Sequence, residues 1–113
     1  MTGFIDLIVR QSGKYYILDY KSNHLGDSES DYEASALQRE MQEAGYDLQA
    51  QLYMVALVKY LEKRIPDFSY ETHIGGAVYL FVRGVREGSG NGVWFQKPDE
   101  QVIRNLEQIL SRG

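Results

Sequence analysis

The chain of 113 residues contains no cysteine. That absence removes disulfide scaffolds, thiolate zinc sites, iron–sulfur clusters and cysteine nucleophiles together. Positive charge is also scarce: twelve Lys and Arg stand against sixteen Asp and Glu, a formal net charge of -4. A domain that holds DNA by bulk positive charge alone would not carry this balance. No apolar run approaches the ~20 residues of a membrane-spanning helix, and the first residues lack a signal-peptide pattern. No membrane partner is expected. Internal repeats and low-complexity segments are absent as well.

What is present suits a globular domain. Hydrophobic residues make up 43% and charged residues 25%, which argues against disorder. The length allows one domain and not two. Residues 4–9 and 15–21 are β-branched and aromatic runs joined by Gln11-Ser12-Gly13-Lys14, which predicts an antiparallel hairpin. Residues 22–31 are polar and turn-forming and predict a surface loop. Ala, Leu, Gln and Glu content predicts a helix over 32–44, ended by Gly45. Asp47 is placed to cap a second helix reaching 64, before Pro66, with Leu48, Leu52, Val55, Ala56 and Leu61 near helical spacing. Residues 74–82 read as a third strand, apolar on both faces and therefore central in a sheet. A glycine-rich turn over 83–92, a short strand at 93–95 and a helix capped by Asp99 complete the order β-β-α-α-β-β-α. That is a mixed α/β domain.

Alternate strand residues share a face, so Asp19 and Lys21 project together while Tyr20 points away. Taken alone, an Asp and a Lys two apart are usually a solvated ion pair. Here the setting is apolar, and Asp6 lies in the partner strand of the hairpin. A charge buried among Ile, Leu, Val and Tyr is costly unless it is paired or bound to metal. Two converging carboxylates make a hard-oxygen site suited to Mg²⁺. A lysine beside such a site can orient a metal-bound water and offset charge building on a phosphorane.

The ordered segments Gly3-Phe4-Ile5-Asp6-Leu7, Leu18-Asp19-Tyr20-Lys21-Ser22-Asn23, Tyr46-Asp47-Leu48-Gln49-Ala50-Gln51-Leu52-Tyr53 and Gly75-Gly76-Ala77-Val78-Tyr79-Leu80-Phe81-Val82-Arg83-Gly84 resemble the PD-(D/E)XK nuclease superfamily. Within it they are most similar to the RecB-like nuclease domains of bacterial helicase–nucleases. The resemblance covers residues 3–84; the final helix is generic. It implies a restriction-endonuclease-like core, a mixed central sheet flanked by helices. It further implies that Asp6, Asp19 and the backbone carbonyl of Tyr20 bind Mg²⁺, with Mn²⁺ a possible substitute. Lys21 matches the motif lysine that acts on the attacking water. Gln49 and Tyr53 match the QxxxY signature, on a helix bordering the DNA path, and at i and i+4 they share a helix face.

The expected function is a Mg²⁺-dependent exodeoxyribonuclease that hydrolyses phosphodiester bonds during double-strand break processing and recombinational repair. The resemblance implies single DNA strands delivered by a helicase, RecC- and RecD-type partner subunits, a bacterial cytoplasm, and products with 5′-phosphate and 3′-hydroxyl ends. Two other readings stand beside it: a non-catalytic DNA-guiding or docking domain, and a stand-alone exonuclease of the same superfamily. Domains of this group begin with helices ahead of the GxxDL strand, whereas this chain starts at Met1, two residues before Gly3. The expectation is therefore that residues 1–113 are a fragment lacking its N-terminal helices, exposing an apolar patch, self-associating, and binding Mg²⁺ weakly. Among the remaining polar residues, His24 reads as a solvated loop residue and His73 as a turn residue. Arg83, Arg86 and Lys97 read as ordinary surface cations. Tyr15, Tyr16 and Tyr79 read as core or cross-strand packing.

Overall fold

The structure, a computed structural model, describes residues 7–86 and 88–112. Its first element is the expected hairpin. β1 (Leu7–Gln11) and β2 (Lys14–Lys21) pair antiparallel, with Leu7 opposite Leu18 and Gln11 opposite Lys14. Ser12 and Gly13 connect them at φ 54° and 80°. Two successive left-handed residues are what a type I′ turn needs, and its twist matches that of the strands it joins. Residues 4–6 of the predicted strand lie outside the described residues.

From β2 the chain passes through the polar loop and a 3-10 turn, Glu29–Tyr32, into α1 (Ala34–Glu43) and α2 (Tyr46–Arg64). A one-turn helix, α3 (Tyr70–His73), then leads directly into β3 (Ile74–Phe81), followed by β4 (Val93–Gln96) and α4 (Glu100–Arg112). The sheet order is β1-β2-β3-β4; β2 and β3 are parallel and the other two pairs antiparallel. A parallel pair cannot be closed by a tight turn and needs a crossover. α1 and α2 supply it.

Three expectations change. Asp47 is not the cap of α2: Gly45 holds the N-cap position at φ 75°, and the Asp47 carboxylate accepts the Leu48 N–H at 2.8 Å inside the first turn. There it still faces the positive end of the helix dipole. The apolar stripe of α2 is also rotated from the predicted one. Leu48 and Leu52 are 53% and 37% exposed, while Gln49, Ala50, Tyr53, Met54, Val55, Leu57, Val58 and Leu61 are buried. A helix with apolar residues on most of its circumference takes its inward face from what it packs against. The short helix α3, too brief for a periodic signal, was not expected; the Ser69 hydroxyl caps it by accepting from Thr72 N–H.

All three long helices lie on one face of the sheet, α1 against β4, α2 against β3, and α4 against α2. The inward row comprises Ile17 and Asp19 on β2, Ala77, Tyr79 and Phe81 on β3, and Trp94 on β4, all buried. The opposite face is apolar but uncovered among the described residues. Val9, Tyr16, Leu18, Val78 and Phe95 border a shallow cavity of about 290 Å³ there, and Phe95 is 54% exposed.

Candidate active site

The inward row ends at the C-terminal end of β2, where Asp19 and Lys21 stand beside Tyr79 and Phe81 of β3. Asp19 is 2% exposed although it lies two residues from the strand's end. Burial of a carboxylate is costly without a counter-charge, and Lys21 provides one: its Nζ lies 3.2 Å from Asp19 Oδ1. The approach is a charge contact rather than an aligned hydrogen bond. Tyr20 projects to the opposite face, half exposed.

The Lys21 ammonium also faces two aromatic rings, with Nζ 4.2 Å from the centroid of Tyr46 and 5.4 Å from that of Tyr79. Both distances are within the ~6 Å range of a cation–π contact. Each ring is itself tied down. The Asn23 side-chain amide donates to Tyr46 Oη at 3.2 Å and to Glu40 Oε2 at 2.7 Å. Tyr79 Oη donates to Gln49 Oε1 at 2.7 Å, and Trp94 meets the Tyr79 ring edge-on at 5.5 Å. Trp94 Nε1 in turn donates to Gln38 Oε1 at 2.9 Å. Residues from the loop after β2, from α1, α2, β3 and β4 therefore converge around one ammonium–carboxylate pair.

The structure thus brings together Asp19, Lys21 and Gln49, the last through Tyr79. Tyr53 and Gln49 both lie on the buried face of α2. Asp6 lies outside the described residues. His24 pairs with Asp27 at 3.0 Å in the exposed loop, and Arg83 Nε donates to the Ser22 carbonyl at 2.6 Å, fastening the loop's start. Tyr46, Tyr79, Asn23 and Glu40 were not singled out as site residues from the sequence. Tyr46 and Asn23 do lie within motif segments, but alternation could mark Tyr79 only as buried, not as a neighbour of Asp19.

Among the described residues no three Asp, Glu or His side chains come together. Asp19 nonetheless suits a divalent ion: it is a buried hard-oxygen donor near a strand end, with the Lys21 ammonium 3.2 Å away. Mg²⁺ commonly uses only one or two carboxylates, completing its shell with water and phosphate oxygens.

Comparison with known proteins is consistent with this chemistry. The PD-(D/E)XK nuclease superfamily profile matches residues 1–113. The RecBCD enzyme subunit RecB of Escherichia coli K12 is 46% identical over 112 residues, 98% of this chain and 10% of that protein. The RecB subunit of Haemophilus influenzae Rd is 41% identical over 96% of the chain and 9% of its own length. That of Mycobacterium tuberculosis H37Rv is 39% identical over 100% of the chain and 11% of its length. The chain therefore spans about a tenth of the curated relatives it matches.

Proposed function

The chain belongs to the PD-(D/E)XK nuclease superfamily, and from that premise we propose that it is the Mg²⁺-dependent catalytic core of a helicase-linked exodeoxyribonuclease. In this reading it works in a bacterial cytoplasm, beside RecC- and RecD-type subunits, on DNA strands fed to it during break processing and recombinational repair. The observation that supports it best is the buried Asp19 carboxylate beside Lys21 at the end of β2. That pair lies in a chain matched over residues 1–113 by the PD-(D/E)XK nuclease superfamily profile.

Asp6, Asp19 and the Tyr20 carbonyl would hold Mg²⁺, with Mn²⁺ as substitute. When bound, the ion supplies Lewis-acid polarisation of a phosphoryl oxygen and a more acidic water. Asp19 presents its carboxylate from β2, with the Lys21 ammonium 3.2 Å away as its counter-charge. Lys21 orients the attacking water and offsets negative charge as the phosphorane forms. The water oxygen bonds to phosphorus and releases a proton to solvent. The P–O3′ bond breaks with its electron pair leaving on O3′, which takes a proton from solvent, and the products carry 5′-phosphate and 3′-hydroxyl ends. Gln49 and Tyr53 lie on the helix that would border the DNA path, and Gln49 accepts the Tyr79 hydroxyl and so fixes it.

The test is a nuclease assay on the full-length protein with its partner subunits, using linear DNA and Mg²⁺. Asp19→Ala is expected to abolish release of nucleotides while leaving DNA unwinding intact. Cleavage undiminished in that variant would overturn the assignment. A wild-type complex that unwinds DNA but cuts none would favour the DNA-guiding domain instead.

A further inference from the structure

The Lys21 side chain carries four rotatable bonds, and confining such a chain costs rotamer entropy. A lysine acting on one water must nevertheless hold its ammonium in one place. Asp19 restrains it from one side only. Of the two rings that face it among the described residues, that of Tyr46 is the nearer, 4.2 Å from Nζ against 5.4 Å for Tyr79. We propose that Tyr46 is a positioning residue that holds the Lys21 ammonium against its ring in the catalytic orientation. The inference rests on the nuclease reading and names one further residue for that reaction.

Three features suit Tyr46 to this role. It is the first residue of a 19-residue helix, so its backbone is anchored by a long rigid element. Its hydroxyl is fixed by Asn23, whose amide is held by Glu40 of α1. Asn23 lies two residues beyond Lys21, so the loop that directly follows the lysine's strand carries the group that orients the ring. Packing alone would require no such pairing. Tyr46 is only half-buried, and its contact with the Tyr79 ring is a tilted one at 6.2 Å. The hydroxyl orients the ring, but the ring face holds the ammonium.

The two parts can be separated with Tyr46→Phe, which keeps the face, and Tyr46→Leu, which removes it. Both are made in the full-length protein with its partner subunits. The first readout is independent of activity: acetylation of lysines by N-hydroxysuccinimidyl acetate, followed by mass spectrometry. The Lys21 side chain is 13% exposed, whereas Lys59 is an exposed residue. In the wild type and in Tyr46→Phe, Lys21 is expected to react far more slowly than Lys59. In Tyr46→Leu it should react markedly faster, with Lys59 and Lys63 unchanged. Should all lysines become reactive in the leucine variant, Tyr46→Met, whose flexible chain refills the space, gives the same comparison.

The second readout is kinetic. Tyr46→Leu is expected to lower kcat roughly ten-fold, the scale of one partly desolvated cation–π contact. KM for DNA and the Mg²⁺ half-saturation should not move, and Tyr46→Phe, which keeps the ring face but loses the hydrogen bond from Asn23, should lower kcat less than Tyr46→Leu does. In a Lys21→Ala background, Tyr46→Leu should cause no further loss. A merely structural residue would cost the same in both backgrounds, and that result would overturn the proposal. So would a Lys21 whose reactivity is indifferent to loss of the ring. A wild-type protein with no Mg²⁺-dependent cleavage would overturn the nuclease reading and the catalytic consequence with it. The acetylation contrast would still decide whether the ring holds the ammonium.

Discussion

At the scale of single residues, the proposed function gives the two side chains of one ammonium–carboxylate pair different tasks. Asp19 is assigned to the ion, so Asp19→Ala should remove metal-linked stabilisation. For a ligand that binds only the folded state this amounts to ~2.7 kcal/mol at a hundredfold excess over Kd. Thermal melts with and without Mn²⁺ measure it, and an unchanged shift in the variant would contradict the role. Lys21 is assigned to the water and the transition state. Lys21→Ala should reduce turnover by ~10²–10³ while metal half-saturation changes little. Tyr70, remote from the site, makes a different prediction. Burial, then the nearby Glu71, Glu100 and Asp99, push its phenol up to about 12, and its hydroxyl donates to the Pro98 carbonyl. A group whose folded pKa is raised stabilises fully below its unfolded value, ~10 for Tyr, and loses that contribution as pH climbs through the folded value. Denaturant titrations between pH 9 and 12 should therefore show stability falling, and falling less steeply in Tyr70→Phe.

At the scale of elements, the joint between α1 and α2 is two residues, Ala44 and Gly45. Gly45 takes φ 75°, and a Cβ placed there would meet no atom within 4 Å. Gly45→Ala therefore tests backbone conformation without a clash. The left-handed region costs an L-residue ~1–2 kcal/mol, so the melting temperature should drop by several degrees. A variant as stable as the wild type would mean that the two helices can meet in another way. The position of this turn matters to the site, because Tyr46 follows immediately and Glu40 precedes it on α1. The same helix shows where periodicity stops being informative. Leu48, Leu52 and Ala56 form a regular i, i+4, i+8 ridge, yet all three are exposed. The buried face includes Gln49, a polar residue that no hydrophobic pattern would select.

At the scale of the whole molecule, the described residues cover the sheet with helices on one side. Its helix-bearing face holds the site, and the other presents Leu7, Tyr20, Val93 and Phe95, each 40–54% exposed. Burying apolar surface contributes ~25 cal/mol per Å², so a few hundred Å² is worth several kcal/mol. Studied by itself, the 113-residue chain is expected to self-associate through this face. Sedimentation velocity over a concentration series should show it, and Val93→Lys with Phe95→Lys should return the chain to monomer. Lysines on an edge strand also discourage strand-to-strand pairing. A chain that stays monomeric without those substitutions would count against the prediction.

The local features were legible in the sequence because they depend on neighbours along the chain. The strand period put Asp19 and Lys21 on one face and Tyr20 on the other. The short Gly-containing turn defined the hairpin, and the apolar run at 74–82 marked a central strand. The motif order indicated the family before any geometry was known. Contacts between residues distant in sequence were decided only by the tertiary structure. The parallel pairing of β2 with β3 sets Asp19 beside Tyr79, sixty positions away. The packing of α2 on that sheet turns Gln49 inward, onto the Tyr79 hydroxyl. Local sequence determines which way a strand residue points, but which ring meets an ammonium depends on how the layers pack.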